Sequence, residues 1–187
     1  MAKPDKTALI LVDVINSFFE VGHPNHYPGV EDVLEPMRAL RDAARRSGAI
    51  VVHAVERHRK GFEDFEWRKL PIHHLEGAHD AAFFDDFAPH GPNETVVYKR
   101  RFSAFFATDL ALFLHEQNVT RVVIAGVKTN VCIRATAQDA FASGFEPVVP
   151  REATNSNRPH LAEASLEDID RYMGRVVPLD EAVELLS

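Results

Sequence analysis

The chain has 187 residues, 45% of them hydrophobic, with 21 Lys and Arg against 28 Asp and Glu and a formal charge of -7. Length and apolar content suit a single domain over residues 1–187 around one sizeable core, and the negative balance repels a polyanion, which argues against nucleic acid as a partner. The single Cys excludes an internal disulfide and a cluster of thiolate metal ligands.

Met1-Ala2-Lys3-Pro4-Asp5-Lys6 lacks the apolar run of a signal peptide. No later apolar stretch approaches the roughly 20 residues that cross a bilayer, so a soluble, cytoplasmic chain without membrane contact is expected. Short, β-branched apolar runs recur at 7–14, 49–55, 95–98, 121–127, 147–149 and 175–179. They are too short for typical helices and too continuous for strands with one wet face, which is the pattern of buried parallel strands. Helical spacing fills 30–46, 104–117, 131–142 and 159–173, with Gly48 and Gly144 as stops and Pro159 suited to a first turn. Alternating strands and helices predict a three-layer α/β fold: an open, mostly parallel six-stranded sheet with helices on both faces. The stretch 56–91 breaks the rhythm and is rich in His and aromatics, including His58, His73, His74, His79 and His90. A loop of that length inside a compact domain is usually functional, as a lid or a subunit contact.

Ligands of open parallel sheets bind outside the carboxyl ends of the strands. Asp13 closes LILVD, Lys99 closes TVVYK, and Cys132 follows RVVIAGV at the entrance of a helix. There the helix dipole and a nearby ammonium would favour a thiolate nucleophile. Each residue also has an ordinary reading: Cys132 as a small buried hydrophobe, Asp13 as a helix cap, and Lys99 in Lys99-Arg100-Arg101 as solvated surface.

VVYKRRFSAFFATDL, followed by VVIAGVKTNVCIRATAQDAFASGF, resembles the isochorismatase-like cysteine hydrolases, a superfamily that includes nicotinamidases and N-carbamoylsarcosine, ureidoacrylate and biuret hydrolases. The resemblance covers about residues 7–154, and its most specific piece is G-V-x-T-x-x-C-x-x-x-T-A-x-D-A from Gly126 to Ala140. It implies an Asp13-Lys99-Cys132 triad that opens a small amide or ureido C–N bond through a thioester. It also implies a cis peptide between Val127 and Lys128, with the N–H groups of Lys128 and Cys132 as the oxyanion donors and the Lys128 side chain pointing away from the chemistry. Phe18, Phe105, Thr129 and Asn130 lie within the matching motifs and are expected beside the substrate, where Arg57 and His58 would orient an acidic or ureido group. Nicotinamidases carry an Asp-x-His metal pair where this chain has Glu56-Arg57-His58. The surrounding residues look more like the metal-free carbamoyl-amide branch, so neither a metal nor another cofactor is expected. Ile15, Ser17 and Arg151-Glu152-Ala153-Thr154 depart from the usual pattern and leave the substrate open. Family members assemble as dimers or tetramers, and the aromatic segment 62–87 is a reasonable contact surface. The competing readings are a metal-bearing nicotinamidase and a flavodoxin-like binding domain in which Cys132 only packs. A redox protein would need an intermolecular thiol partner.

Overall fold

The computed structural model describes residues 6–187, so most of the N-terminal segment read above lies outside them. The elements run β1 (Thr7–Val12), α1 (Asn16–Phe19), α2 (Leu34–Ser47), β2 (Ile50–Glu56), β3 (Glu94–Lys99), α3 (Leu110–Glu116), β4 (Arg121–Val127), α4 (Arg134–Ala142), β5 (Glu146–Pro150), β6 (Thr154–Asn155), α5 (Pro159–Tyr172), β7 (Arg175–Val177) and α6 (Leu179–Leu185). Strand order is β3-β2-β1-β4-β5-β7, and every neighbouring pair is parallel. The sheet therefore has seven strands rather than the six expected. The extra one, β6, pairs two residues with Gly126 and Val127 of β4 and is too short to leave a periodic signal.

Successive side chains of a strand point to opposite faces, and β1 shows what that requires. Leu9 and Leu11 pack with Met37 and Leu40 of α2 and Ala182 of α6. Ala8, Ile10 and Val12 pack with Leu110 and Leu114 of α3, Ala137 and Ala140 of α4, and Leu166 and Ile169 of α5. Both faces are thus covered, which is why β1 reads as a nearly continuous apolar run and β2 as one interrupted by His53 before it ends at Glu56. Gly126 takes φ +126°, and a Cβ there would come within 2.1 Å of the Val12 carbonyl oxygen, so only glycine lets β4 lie against β1 at this point.

Several element boundaries differ from the sequence reading, and the expected helix 30–46 opens with a 3₁₀ turn, Val30–Val33, before α2. Residues 104–109 are not helical: Ala107 sits at φ +55°, in the left-handed region that interrupts an α-helix. The segment 131–142 divides into a five-residue π turn, Thr129–Ile133, and α4. Residues 175–179 divide at Pro178, which ends β7 and caps α6. No helix among the described residues is long and apolar enough to cross a membrane.

Because all strands run the same way, their carboxyl ends share one edge of the sheet. Asp13 leaves β1, Glu56 ends β2 directly opposite Lys99 at the end of β3, and Cys132 follows β4 within the π turn.

Candidate active site

At that edge the Lys99 ammonium lies 2.8 Å from Asp13 Oδ2 and donates to Cys132 Sγ at 3.6 Å. Asp13 and Lys99 are fully buried, and Cys132 is 5% exposed. Asp13 takes a left-handed φ of +54°, and its Oδ1 accepts the Glu56 backbone N–H at 2.8 Å. Its Oδ2 has no aligned hydrogen bond despite the short ion pair with Lys99. The Val127–Lys128 peptide is cis. Cys132 lies on a cavity of about 300 Å³ together with Phe18, Asn25, Phe102, Lys128, Val131 and the acidic and imidazole groups described below.

Burial pushes the Cys132 thiol well above the usual range. Lys99 opposes this, but the Asp13 and Glu56 carboxylates and the hydrogen bond to Asp13 reinforce it. The resting sulfur is therefore a protonated thiol, whereas helix position and ammonium alone suggested a standing thiolate. Burial would also depress Lys99, but Asp13, the sulfur and Glu56 outweigh it and keep the side chain charged. The arrangement sets a neutral thiol against a carboxylate–ammonium pair, groups that can accept its proton and offset negative charge on sulfur.

A family profile described as Isochorismatase domain matches residues 7–181. The chain belongs to the isochorismatase family. It is 40% identical to maleamate amidohydrolase of Pseudomonas putida over 97% of this chain and 87% of that protein. It is 31% identical to N-carbamoylsarcosine amidase of an Arthrobacter species over 98% and 72%. Among solved structures, an isochorismatase-like hydrolase from Alkaliphilus metalliredigens superposes with a TM-score of 0.85 at 31% identity, covering 98% of this chain and 97% of that one.

In this isochorismatase-family site, four further ligand-type side chains converge beside the triad. Atoms of Glu56, His58, Glu66 and His73 all lie within 4.8 Å of one another. His58 Nδ1 is tied to Asp64 Oδ2 at 3.0 Å and His73 Nδ1 to the Pro71 carbonyl, which leaves both Nε2 atoms facing the cluster. Glu56 Oε1, His58 Nε2 and both Glu66 oxygens are buried without a hydrogen-bond partner. Two carboxylates and two imidazoles with their second nitrogens anchored form a donor set that fits Zn²⁺ or Mn²⁺. The fit goes beyond the Glu56–His58 pair legible in the sequence. Burial and the Glu56 charge push Glu66 up to about 7. Burial would depress His73, but Glu56 and Pro71 as hydrogen-bond partners, with the charges of Glu56 and Glu66, raise it to about 9.

The structure separates the residues expected beside the substrate. Phe18 does line the cavity. His58 is in the ligand cluster but borders a second cavity rather than this one. Arg57 lies outside both the cluster and the Cys132 cavity: it stacks on Tyr98, 4.0 Å from the ring centroid, in that second cavity of about 370 Å³, which it also shares with Arg59 and Arg100. Phe105 is core, packed on Phe145. The Thr129 hydroxyl is 2.8 Å from that of Thr154, joining the π turn to β6. Asn130 accepts from Ser156 at 2.6 Å and borders a separate shallow pocket. Lys128 departs in the opposite sense, because its side chain enters the Cys132 cavity rather than pointing away. Asn25, Glu66, His73, His74 and Phe102 also line the cavity without having been singled out as contacts. The irregular His-rich loop was the available signal for three of them.

Proposed function

We propose that this chain is a cysteine-dependent amidohydrolase that opens a small amide or ureido C–N bond through a thioester formed on Cys132. Hydrolysis of a linear C–N bond is the activity named for its amidohydrolase relatives. The observation that carries the cysteine reading is the buried Asp13–Lys99–Cys132 contact on the wall of the cavity.

On this reading, Cys132 Sγ bonds to the substrate carbonyl carbon as its proton passes to Asp13. Lys99 offsets the negative charge that develops on sulfur. The oxyanion accepts from the backbone N–H groups of Lys128 and Cys132, an arrangement worth about 3 kcal/mol of barrier per donor in other acyl-transfer sites. Collapse of the tetrahedral intermediate breaks the C–N bond, and Asp13 returns its proton to the leaving nitrogen. Water then attacks the thioester, Asp13 takes a proton from it, and the thiol re-forms as the acid departs. A divalent ion held by Glu56, His58, Glu66 and His73 would supply positive charge beside the cavity to orient a polar substrate group. The lone thiol suits the reducing cytoplasm, and exposed Phe62, Phe65 and Ile72 suit a face covered in a homodimer or homotetramer.

Ammonia release from maleamate and N-carbamoyl amino acids, with acid quenching and mass analysis to trap an acyl adduct on Cys132, tests the assignment. Cys132→Ala is expected to fold and to retain less than about a thousandth of the activity. Higher residual turnover, or no amide hydrolysed by the wild type, would remove it.

A further inference from the structure

Away from the Cys132 cavity, the described residues bring together one further set of metal-ligand side chains, Glu20, His23 and His79, whose ligand atoms all lie within 4.8 Å of one another. Glu20 and His23 bound a tight turn just after α1. The His23 N–H donates to the Glu20 carbonyl at 3.3 Å, and Gly22 takes the left-handed φ, +96°, that such a turn reserves for glycine at its third position. His79 arrives from the long loop. Its backbone is held to the start of α1, where the Asn16 amide donates to the His79 carbonyl at 3.0 Å, the Asn16 N–H donates to the Ala82 carbonyl at 2.9 Å and Ile15 bridges Phe83. Two segments far apart in sequence thus present one carboxylate and two imidazoles to the same point.

Both imidazoles converge on one oxygen: His79 Nε2 is 2.6 Å and His23 Nε2 3.4 Å from Glu20 Oε2. Ligand atoms about 2.1 Å from a tetrahedral ion stand about 3.4 Å apart. His23 is therefore already at the spacing an ion requires, and His79 needs to withdraw by less than about 1 Å, which its exposed side chain is free to do. The His79 nitrogen is also over-committed. Asn16 Nδ2 lies 3.3 Å from it, and donation to the His79 carbonyl fixes the orientation of that amide. Nε2 must be bare to accept from Asn16 and protonated to donate to Glu20, and one nitrogen cannot be both. An ion between the three side chains removes the conflict by taking up the lone pairs of both rings and the charge of the carboxylate. Two imidazole nitrogens and a carboxylate oxygen suit Zn²⁺ and its borderline neighbours, and the formal charge of -7 attracts a cation. All three side chains are partly exposed, which leaves the fourth coordination position to water.

We propose that Glu20, His23 and His79 form a second divalent-metal site, open to solvent at its fourth position, whose ion straps the long loop to the segment that follows β1. It rests on neither the amide chemistry nor the buried Glu56–His58–Glu66–His73 cluster, with which it shares no residue.

Zn²⁺ alone is the probe. An ion with an open position exchanges readily, so binding is read at equilibrium by dialysis rather than after desalting. The wild type is expected to bind one ion per chain more than His23→Gln/His79→Gln. Each single variant, and Glu20→Gln, should bind that ion at least about tenfold more weakly, no less than is lost with a mere outer-shell partner. The difference should persist in a His58→Ala background, which disables the buried cluster; its disappearance there would assign the ion to that cluster and overturn the proposal. His160→Gln, at an exposed histidine elsewhere, should match wild type. Equal binding by the wild type and the double variant would overturn the site, as would an equal loss in His160→Gln, the mark of adventitious binding to surface imidazoles. Hydrogen exchange tests the strap. At roughly 100 times the dissociation constant, Zn²⁺ should slow the amides of Asn16 and Phe84, which donate between this segment and the loop, by up to about 100-fold in the wild type and by less in the double variant. Binding without that added protection would refute the strap.

Discussion

Removing the Lys99 charge should damage stability and thiol chemistry together, because one buried atom serves both. Lys99 and Asp13 are each fully buried, their charged atoms are 2.8 Å apart, and Asp13 Oδ2 accepts no aligned hydrogen bond. In Lys99→Met the carboxylate loses its counter-charge and keeps the Glu56 N–H on Oδ1 and the Cys132 thiol, both neutral donors. Breaking a buried pair from one side typically costs about 3–5 kcal/mol, a large share of the ~5–15 kcal/mol that holds a domain together. Replacing both partners leaves no stranded charge, so the double variant Lys99→Met/Asp13→Asn should recover most of that loss while remaining inactive. Urea unfolding of the wild type, both single variants and the double variant closes the cycle, provided the slopes agree.

The thiol supplies the second readout. Lys99 is the group that favours the Cys132 thiolate, whereas burial, Asp13 and Glu56 oppose it. Alkylation of Cys132 by iodoacetamide in Lys99→Met should therefore shift to higher pH. A loss below about 1 kcal/mol, the value of an exposed pair, together with an alkylation profile that overlays wild type, would refute the view that this ion pair is the electrostatic centre of the site.

Two further outcomes follow from other clusters. Burial would raise the Glu94 carboxyl, but Arg45, His53 and the His90 N–H hold it down to about 2. Its contribution to stability is therefore present above the ordinary carboxylate range and lost as pH falls through about 2. Glu94→Gln should lower the urea midpoint at pH 7 and converge on wild type near pH 2, and an equal deficit at both would contradict this. Chelator-treated wild type, titrated with Zn²⁺ and assayed for bound metal after desalting, should retain about one ion per chain at the Glu56–His58–Glu66–His73 cluster. His58→Ala and Glu66→Gln should each reduce retention, and unchanged stoichiometry in both would assign the metal elsewhere.

The residues legible in the sequence and those that were not differ in how their positions are determined. Asp13 and Cys132 follow strands and Lys99 ends one, and a parallel sheet gathers strand ends at one edge, so topology alone brings them near one another. Glu56, Arg57 and His58 mark the boundary of what alternation could supply. Residues at i and i+2 share a face of an extended chain, which puts Glu56 and His58 together in the ligand cluster and turns Arg57 outward onto Tyr98. Alternation, rather than charge, thus separates Arg57 from the cavity that Cys132 lines.

Glu66, His73 and His74 follow no such rule. They reach the site because the long loop doubles back, with the His58 N–H donating to the His74 carbonyl and the Glu76 N–H donating to that of His58, each at 2.8 Å. That tertiary pairing has no local period. Lys128 is the most instructive case, since its place in the motif drew attention to its backbone. Where its side chain goes depends on the path from β4 through the π turn, a conformation that no residue propensity encodes. On the proposed reading, the nucleophile with its acid and ammonium is carried by the strand ends of the sheet. The rest of the cavity wall comes from a loop and a turn, which bring Glu66, His73, His74 and Lys128 to the sulfur.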